Sequence, residues 1–85
     1  MAKQLTGRTV TSDENQALTS WLKDKRKEKG HTMRSLATLL GTSHSFIGKI
    51  EKMERRLDAV ELVRYCNALG VDPVEGISKI QDLYN

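Results

Sequence analysis

Apolar residues recur along this chain at helical spacing, and the stretches that carry the pattern are separated by capping and stop signals. Ala17, Leu18, Trp21 and Leu22 share one face of a first helix. It is expected to start at Ser12 or Asp13, with Asp13 and Gln16 as a capping box, and to run to Lys29 with Gly30 as a left-handed cap. Leu36, Ala37 and Leu40 predict a short second helix, capped by Thr32 and stopped by Gly41. Ile47 and Ile50 predict a third over Ser43–Glu51, capped by Ser43, which leaves His44, Ser45, Gly48 and Lys49 on its open side. Leu62, Val63, Cys66 and Leu69 predict a fourth, opened by a box of Asp58 and Glu61 and closed by Gly70. Asp72-Pro73-Val74-Glu75 repeats the box logic for a last helix, 73–84, with Ile77, Ile80, Leu83 and Tyr84 as its apolar residues. No stretch has the alternation of a strand, so the predicted fold class is all-α, a compact five-helix bundle.

Residues 1–12 have neither period and are expected to be a flexible arm, charged only at Lys3 and Arg8, before a single domain over 13–85. Within that domain only Gly41, Thr42 and Ser43 connect the second helix to the third. So short a link forces the two to cross steeply, the geometry of a helix-turn-helix over 32–51. Gly41 supplies the positive φ of the turn, and Ala37 is small where the helices approach.

Composition then narrows the class. Thirty-eight per cent hydrophobic and 29% charged residues describe an ordinary globular chain. No apolar run reaches membrane-spanning length and no signal-peptide core opens the chain, so the expected location is the cytoplasm. Cys66 stands alone, and His31 and His44 lack ligand spacing, so neither metal nor other cofactor is expected. The net charge of +3 is unevenly spread: residues 1–57 hold twelve Lys/Arg against six Asp/Glu, whereas 58–85 hold two against five. The basic part contains the third helix, as a polyanion partner requires. Ser43, His44 and Ser45 are adjacent rather than convergent, and no carboxylate pair or phosphate loop accompanies them, which argues against an enzyme.

With these elements in place, Thr32, Leu36-Ala37, Gly41, Ser43, Ile47 and Glu51 resemble the Cro and phage-repressor family of helix-turn-helix regulators, the XRE family, over roughly residues 18–78. The resemblance implies a lambda-repressor-like domain whose third helix reads base edges while the start of the second meets the backbone. It implies base contacts from His44, Ser45 and Lys49, with Lys49 suited to guanine O6 and N7. Phe46 would meet a thymine methyl or rest on the neighbouring helix, and both readings stay open. Phosphate contacts are expected from Thr32, Met33, Arg26, Ser43, Lys52, Arg55 and Arg56, and a structural ion pair from Arg26 with Glu51.

Two positions depart from the family pattern. Met33 stands where Gln is frequent, which removes a polar side chain from the expected phosphate contact. Met53 stands where Gly is common, so the exit from the third helix must avoid positive φ or carry strain.

The expected function is a sequence-specific regulator binding double-stranded DNA, most simply a homodimeric repressor on an inverted repeat, of phage or mobile-element type. Ile77, Ile80, Leu83 and Tyr84 are the expected dimer surface. The alternative is an antitoxin-like interaction module with secondary DNA binding. A protein partner would be RNA polymerase for a regulator that also activates, or a toxin under the alternative.

Overall fold

The computed structural model describes residues 12–85, so the expected arm lies, except for Ser12, outside the described residues. Five α-helices follow one another: α1 Asp13–Glu28, α2 Met33–Leu40, α3 His44–Glu51, α4 Ala59–Leu69 and α5 Pro73–Gln81. A 3-10 turn, Asp82–Tyr84, follows α5 where the sequence pattern extends the last α-helix to residue 84. No strand occurs among the described residues.

The helix starts are set by short polar side chains that accept from otherwise unpaired amides. Ser43 Oγ accepts from the Phe46 amide and opens α3. Thr32 caps α2 in a reciprocal box with Ser35, a closing residue the expected Glu/Gln signature does not contain. Asp58 and Glu61 form the expected box on α4. Two caps differ from expectation. Ser12, not Asp13, caps α1, because its hydroxyl accepts from the Asn15 amide and Asp13 is already the first helical residue. Asp72 caps α5 through the Val74 amide, but Glu75 does not close a box. Its carboxylate instead accepts from Trp21 Nε1 at 3.3 Å and lies 3.7 Å from Lys25 Nζ, tying α5 to α1.

The core gathers Leu18, Trp21 and Leu22 from α1, Leu36 and Ala37 from α2, Ile47 and Ile50 from α3, and Leu62, Tyr65, Cys66 and Leu69 from α4. The α4 stripe is thus 62, 65, 66, 69. Val63, expected inside, is exposed, and Tyr65 takes the place on the same face that a 3.6-residue period demands. Burial of Ile47 and Ile50 contributes about 1.5 to 3 kcal/mol each, the main force pressing α3 onto the bundle.

The α1–α5 contact depends on Gly76. A Cβ there would lie 2.7 Å from Trp21 Cζ3 and 3.1 Å from Leu18 Cδ1, so the two helices meet at a distance only a bare backbone permits.

Candidate nucleic-acid interface

Helix α3 is attached along one side and open along the other. At 100° per residue, His44, Ser45, Gly48, Lys49 and Lys52 fall within roughly 140° of the helix circumference, with Phe46, Ile47, Ile50 and Glu51 on the remainder. Burial follows this division: Ile47 and Ile50 are inside, while His44, Ser45, Lys49 and Lys52 are exposed. Gly48 lies between them, and a Cβ there would meet only Met33 Sδ at 3.9 Å, so nothing in the protein demands its smallness.

The far end of α3 is held by a buried ion pair. Arg26 Nε donates to Glu51 Oε2 at 2.6 Å and Nη2 to Oε1 at 3.1 Å, with side chains 8% and 3% exposed. Arg26 Nη1 also donates to the His31 carbonyl at 2.8 Å. One guanidinium therefore joins α1, the turn before α2, and α3. The Glu51 carboxylate raises the pKa of Arg26, chiefly through these hydrogen bonds, so the guanidinium stays charged. Arg26 was expected at a phosphate as well as in the pair. Its burial and the three N–H groups given to Glu51 and His31 make it a brace behind α3.

Tyr65 packs within this framework. Burial, aided by the Glu51 charge and opposed by Arg26, pushes its phenol pKa up. Its neighbour Cys66 is fully buried, and its thiol is pushed up to about 11 by desolvation, which makes it an inert packing residue rather than a nucleophile.

The exit from α3 carries strain. Met53 has φ 59°, and it is the only non-glycine residue with positive φ among the described residues. The Met53 amide bonds the Ile50 carbonyl at 3.1 Å and the Glu54 amide the Lys49 carbonyl at 2.8 Å. This is a Schellman ending, the same closure that Gly41 gives α2 at φ 69°, with a side chain where none is preferred.

Arg55 follows in the same loop. Its guanidinium makes a bidentate pair with Glu61, at 3.1 and 2.8 Å, and lies 4.6 Å from the centre of the Phe46 ring. Phe46 is half-buried against the core and lines a groove with Leu40, Leu57 and Tyr65. Of its two sequence readings, packing on the neighbouring elements is the one this geometry supports, because the ring packs against the core and the Arg55 guanidinium lies over it. Glu61, bonded to Arg55, has its pKa lowered by that partner first and by the Asp58 amide second.

Thr32, Ser43 and Lys52 are exposed, as are His44 and Lys49, and Met33 is half-buried with its sulfur toward Gly48. Arg56 is exposed in the loop after α3. One residue sequence reasoning passed over is Arg34, exposed on α2 beside His44. A cation in the first turn of the second helix was the available signal. The expected dimer residues divide: Ile77 and Leu83 are about half exposed, Ile80 is half-buried against the core, and Tyr84 donates its hydroxyl to Glu14 at 2.8 Å.

No group of His, Cys, Asp and Glu side chains among the described residues could hold a metal ion, and no described helix is long and apolar enough to cross a membrane.

Comparison with known proteins agrees with this architecture. The helix-turn-helix family profile matches residues 22–75. An XRE-family like protein from Pseudomonas syringae pv. tomato is 36% identical, with 92% of this chain and 95% of that one covered and a TM-score of 0.81. The restriction-modification controller C.AhdI from Aeromonas hydrophila is 26% identical over 76% of this chain and 98% of its own, with a TM-score of 0.70. The clp gene regulator ClgR from C. glutamicum, at 23% identity, 87% and 96% coverage and a TM-score of 0.75, shares the fold. No curated protein sequence is a significant match. A helix braced from behind and polar in front, together with the family profile over residues 22–75 and the 36% identical XRE-family structure, places the chain in the XRE-type helix-turn-helix family of DNA-binding regulators.

Proposed function

We propose that this chain regulates transcription by reading a specific sequence in double-stranded DNA, with α3 in the major groove and His44, Ser45 and Lys49 at the base edges. The observation that carries the reading is the division of α3. Its inner side is fixed by Ile47, Ile50 and the Arg26–Glu51 pair, while its outer side offers donors and a cation with no bulk at Gly48. Fixed orientation is what base readout needs, and the free side-chain donors suit acceptors in the groove. Thr32, Ser43, Lys52 and Arg56 would contact the phosphates that set the register.

The working unit is a homodimer on an inverted repeat with half-sites about one helical turn apart. Supporting this are the exposed Val74, Ile77 and Leu83 on and after α5, which leave apolar surface for a second copy. Repression by occupying a promoter is the simplest outcome of such binding, in the cytoplasm, and the similarity to a restriction-modification controller is consistent with a small regulatory circuit.

Equilibrium binding to a generic duplex, with sedimentation of the complex, tests the reading. The expected result is affinity that falls steeply with salt and two chains per bound site. Binding that ignores salt, or its absence at tens of micromolar protein, would overturn it.

A further inference from the structure

Beside the start of α3 lies a crevice of about 300 Å³ lined by Arg34, Ala37, Thr38, Thr42, Ser43 and His44. Its charged group is a single cation, and no carboxylate lines it. Arg34 differs in this from the two arginines beside the recognition helix, since Arg26 is bound to Glu51 and Arg55 to Glu61. Arg34 is exposed and makes no ion pair among the described residues. Thr38 Oγ1 donates to the Arg34 carbonyl at 3.0 Å, and the Ser43 oxygen accepts from the Phe46 amide, which leaves the Ser43 O–H able to donate into the crevice. Ala37 keeps the floor low.

We propose that this crevice seats one phosphate of the DNA backbone, with the Arg34 guanidinium as principal ligand and the Ser43 hydroxyl and His44 ring beside it. This rests on the reading of the chain as a DNA-binding regulator. A planar guanidinium matches two phosphate oxygens at once, and a phosphate fixed next to His44 sets how far α3 enters the groove. Arg34 is thereby a positioning residue for the base contacts as well as a source of affinity.

The test is duplex binding across a salt series for the wild type, Arg34→Ala and Arg34→Lys. Because Arg34 is exposed, all three should melt at the same temperature. Arg34→Ala should reduce the slope of log affinity against log salt by about 0.9, the value of one lost phosphate neutralisation, while Arg34→Lys retains it. Base preference should be weakened in sharpness rather than redirected. Salt-dependent wild-type binding with an unchanged slope and affinity in Arg34→Ala would overturn the phosphate seat and leave the DNA reading intact. Absence of salt-dependent binding in the wild type would overturn both. Titration with inorganic phosphate, followed through the amide resonances of Arg34 and His44, separates the sources: saturation below millimolar concentration would mark a free-phosphate site and contradict a seat for the DNA backbone.

Discussion

The two ends of α3 are built for opposite purposes. At the Ser43 end the helix begins in solvent, with small polar side chains and one capping bond, and no ion pair among the described residues reaches it. At the Glu51 end it is clamped by a buried bidentate pair, followed by a left-handed closure that tolerates Met53 only at a cost. One end is kept available and the other is kept still. Stability and recognition should therefore separate along a helix of eight residues, which is short enough that the separation must come from its surroundings.

The largest effect is expected at the clamped end. Glu51→Gln or Arg26→Gln leaves a buried charge without its partner, and chemical denaturation should show a loss of about 3 to 5 kcal/mol. Replacing both, as Arg26→Met with Glu51→Leu, should cost less than either alone, since no charge is then stranded. A double variant as unstable as the sum of the singles would remove the buried pair as the cause.

Alkali should weaken the same region next. The Cys66 thiol, raised from 9.0 to about 11 in the fold, keeps its proton where the unfolded chain has lost it. Stability should be intact below pH 9 and fall as pH rises toward 11, by about 2 to 3 kcal/mol at roughly 1.4 kcal/mol per pH unit. Tyr65 adds to the loss in the same direction. Cys66→Ala should lessen the dependence in melting curves taken from pH 8 to 11, and an identical slope would show that the thiol does not contribute.

At the open end the readout changes from stability to binding. Lys49→Ala should leave the denaturation midpoint where it is, weaken specific binding by about 1 to 3 kcal/mol and relax one base position. Gly48→Ala sits at the border between the two purposes. Helix propensity should raise stability by about 1 kcal/mol, because a Cβ there touches only the Met33 sulfur. If DNA approaches that backbone closely, the same variant should bind less well, and calorimetry paired with binding would show the two moving in opposite directions.

The smallest expected change is relief of strain behind the clamp. Met53→Gly should stabilise by up to about 1 kcal/mol, since the left-handed penalty is removed but the unfolded chain becomes more flexible. Destabilisation by Met53→Gly would mean that the half-buried methionine contributes more by packing than it costs by conformation.

The division of α3 is written in short-range signals, which explains why so much of it can be read from the chain. Ser43, Thr32 and Asp58 cap because a hydroxyl or carboxylate three residues before a free amide reaches it, and Gly41 and Gly70 end helices by the local preference of their backbone. Met53 shows the same logic: a non-glycine at the closing position leaves the chain either to avoid positive φ or to carry strain, and the backbone does the second. Long-range choices were less legible. Ser12 and Asp13 are both good caps, and only the packing of α1 decides between them. Val63 is the more apolar of the two side chains, whereas the 3.6-residue period favours the Tyr65 side of α4, and the tyrosine is the one buried. Glu75 looks like a box residue until Trp21 and Lys25, some fifty residues earlier, offer a better contact. Gly76 gives no local sign that Trp21 lies against it. Arg34 shows in the sequence as a cation in the first turn of α2, but that it has no carboxylate partner among the described residues is visible only in three dimensions.

The central claim, that the open side of α3 reads base sequence, is tested most directly by selecting sites from a random duplex library near physiological salt, with wild-type protein and Lys49→Ala in parallel. The account predicts enrichment of an inverted repeat with half-sites about one turn apart, and loss of preference at one position of each half-site in the variant. Binding without enrichment, or an identical selected site for both proteins, would contradict it.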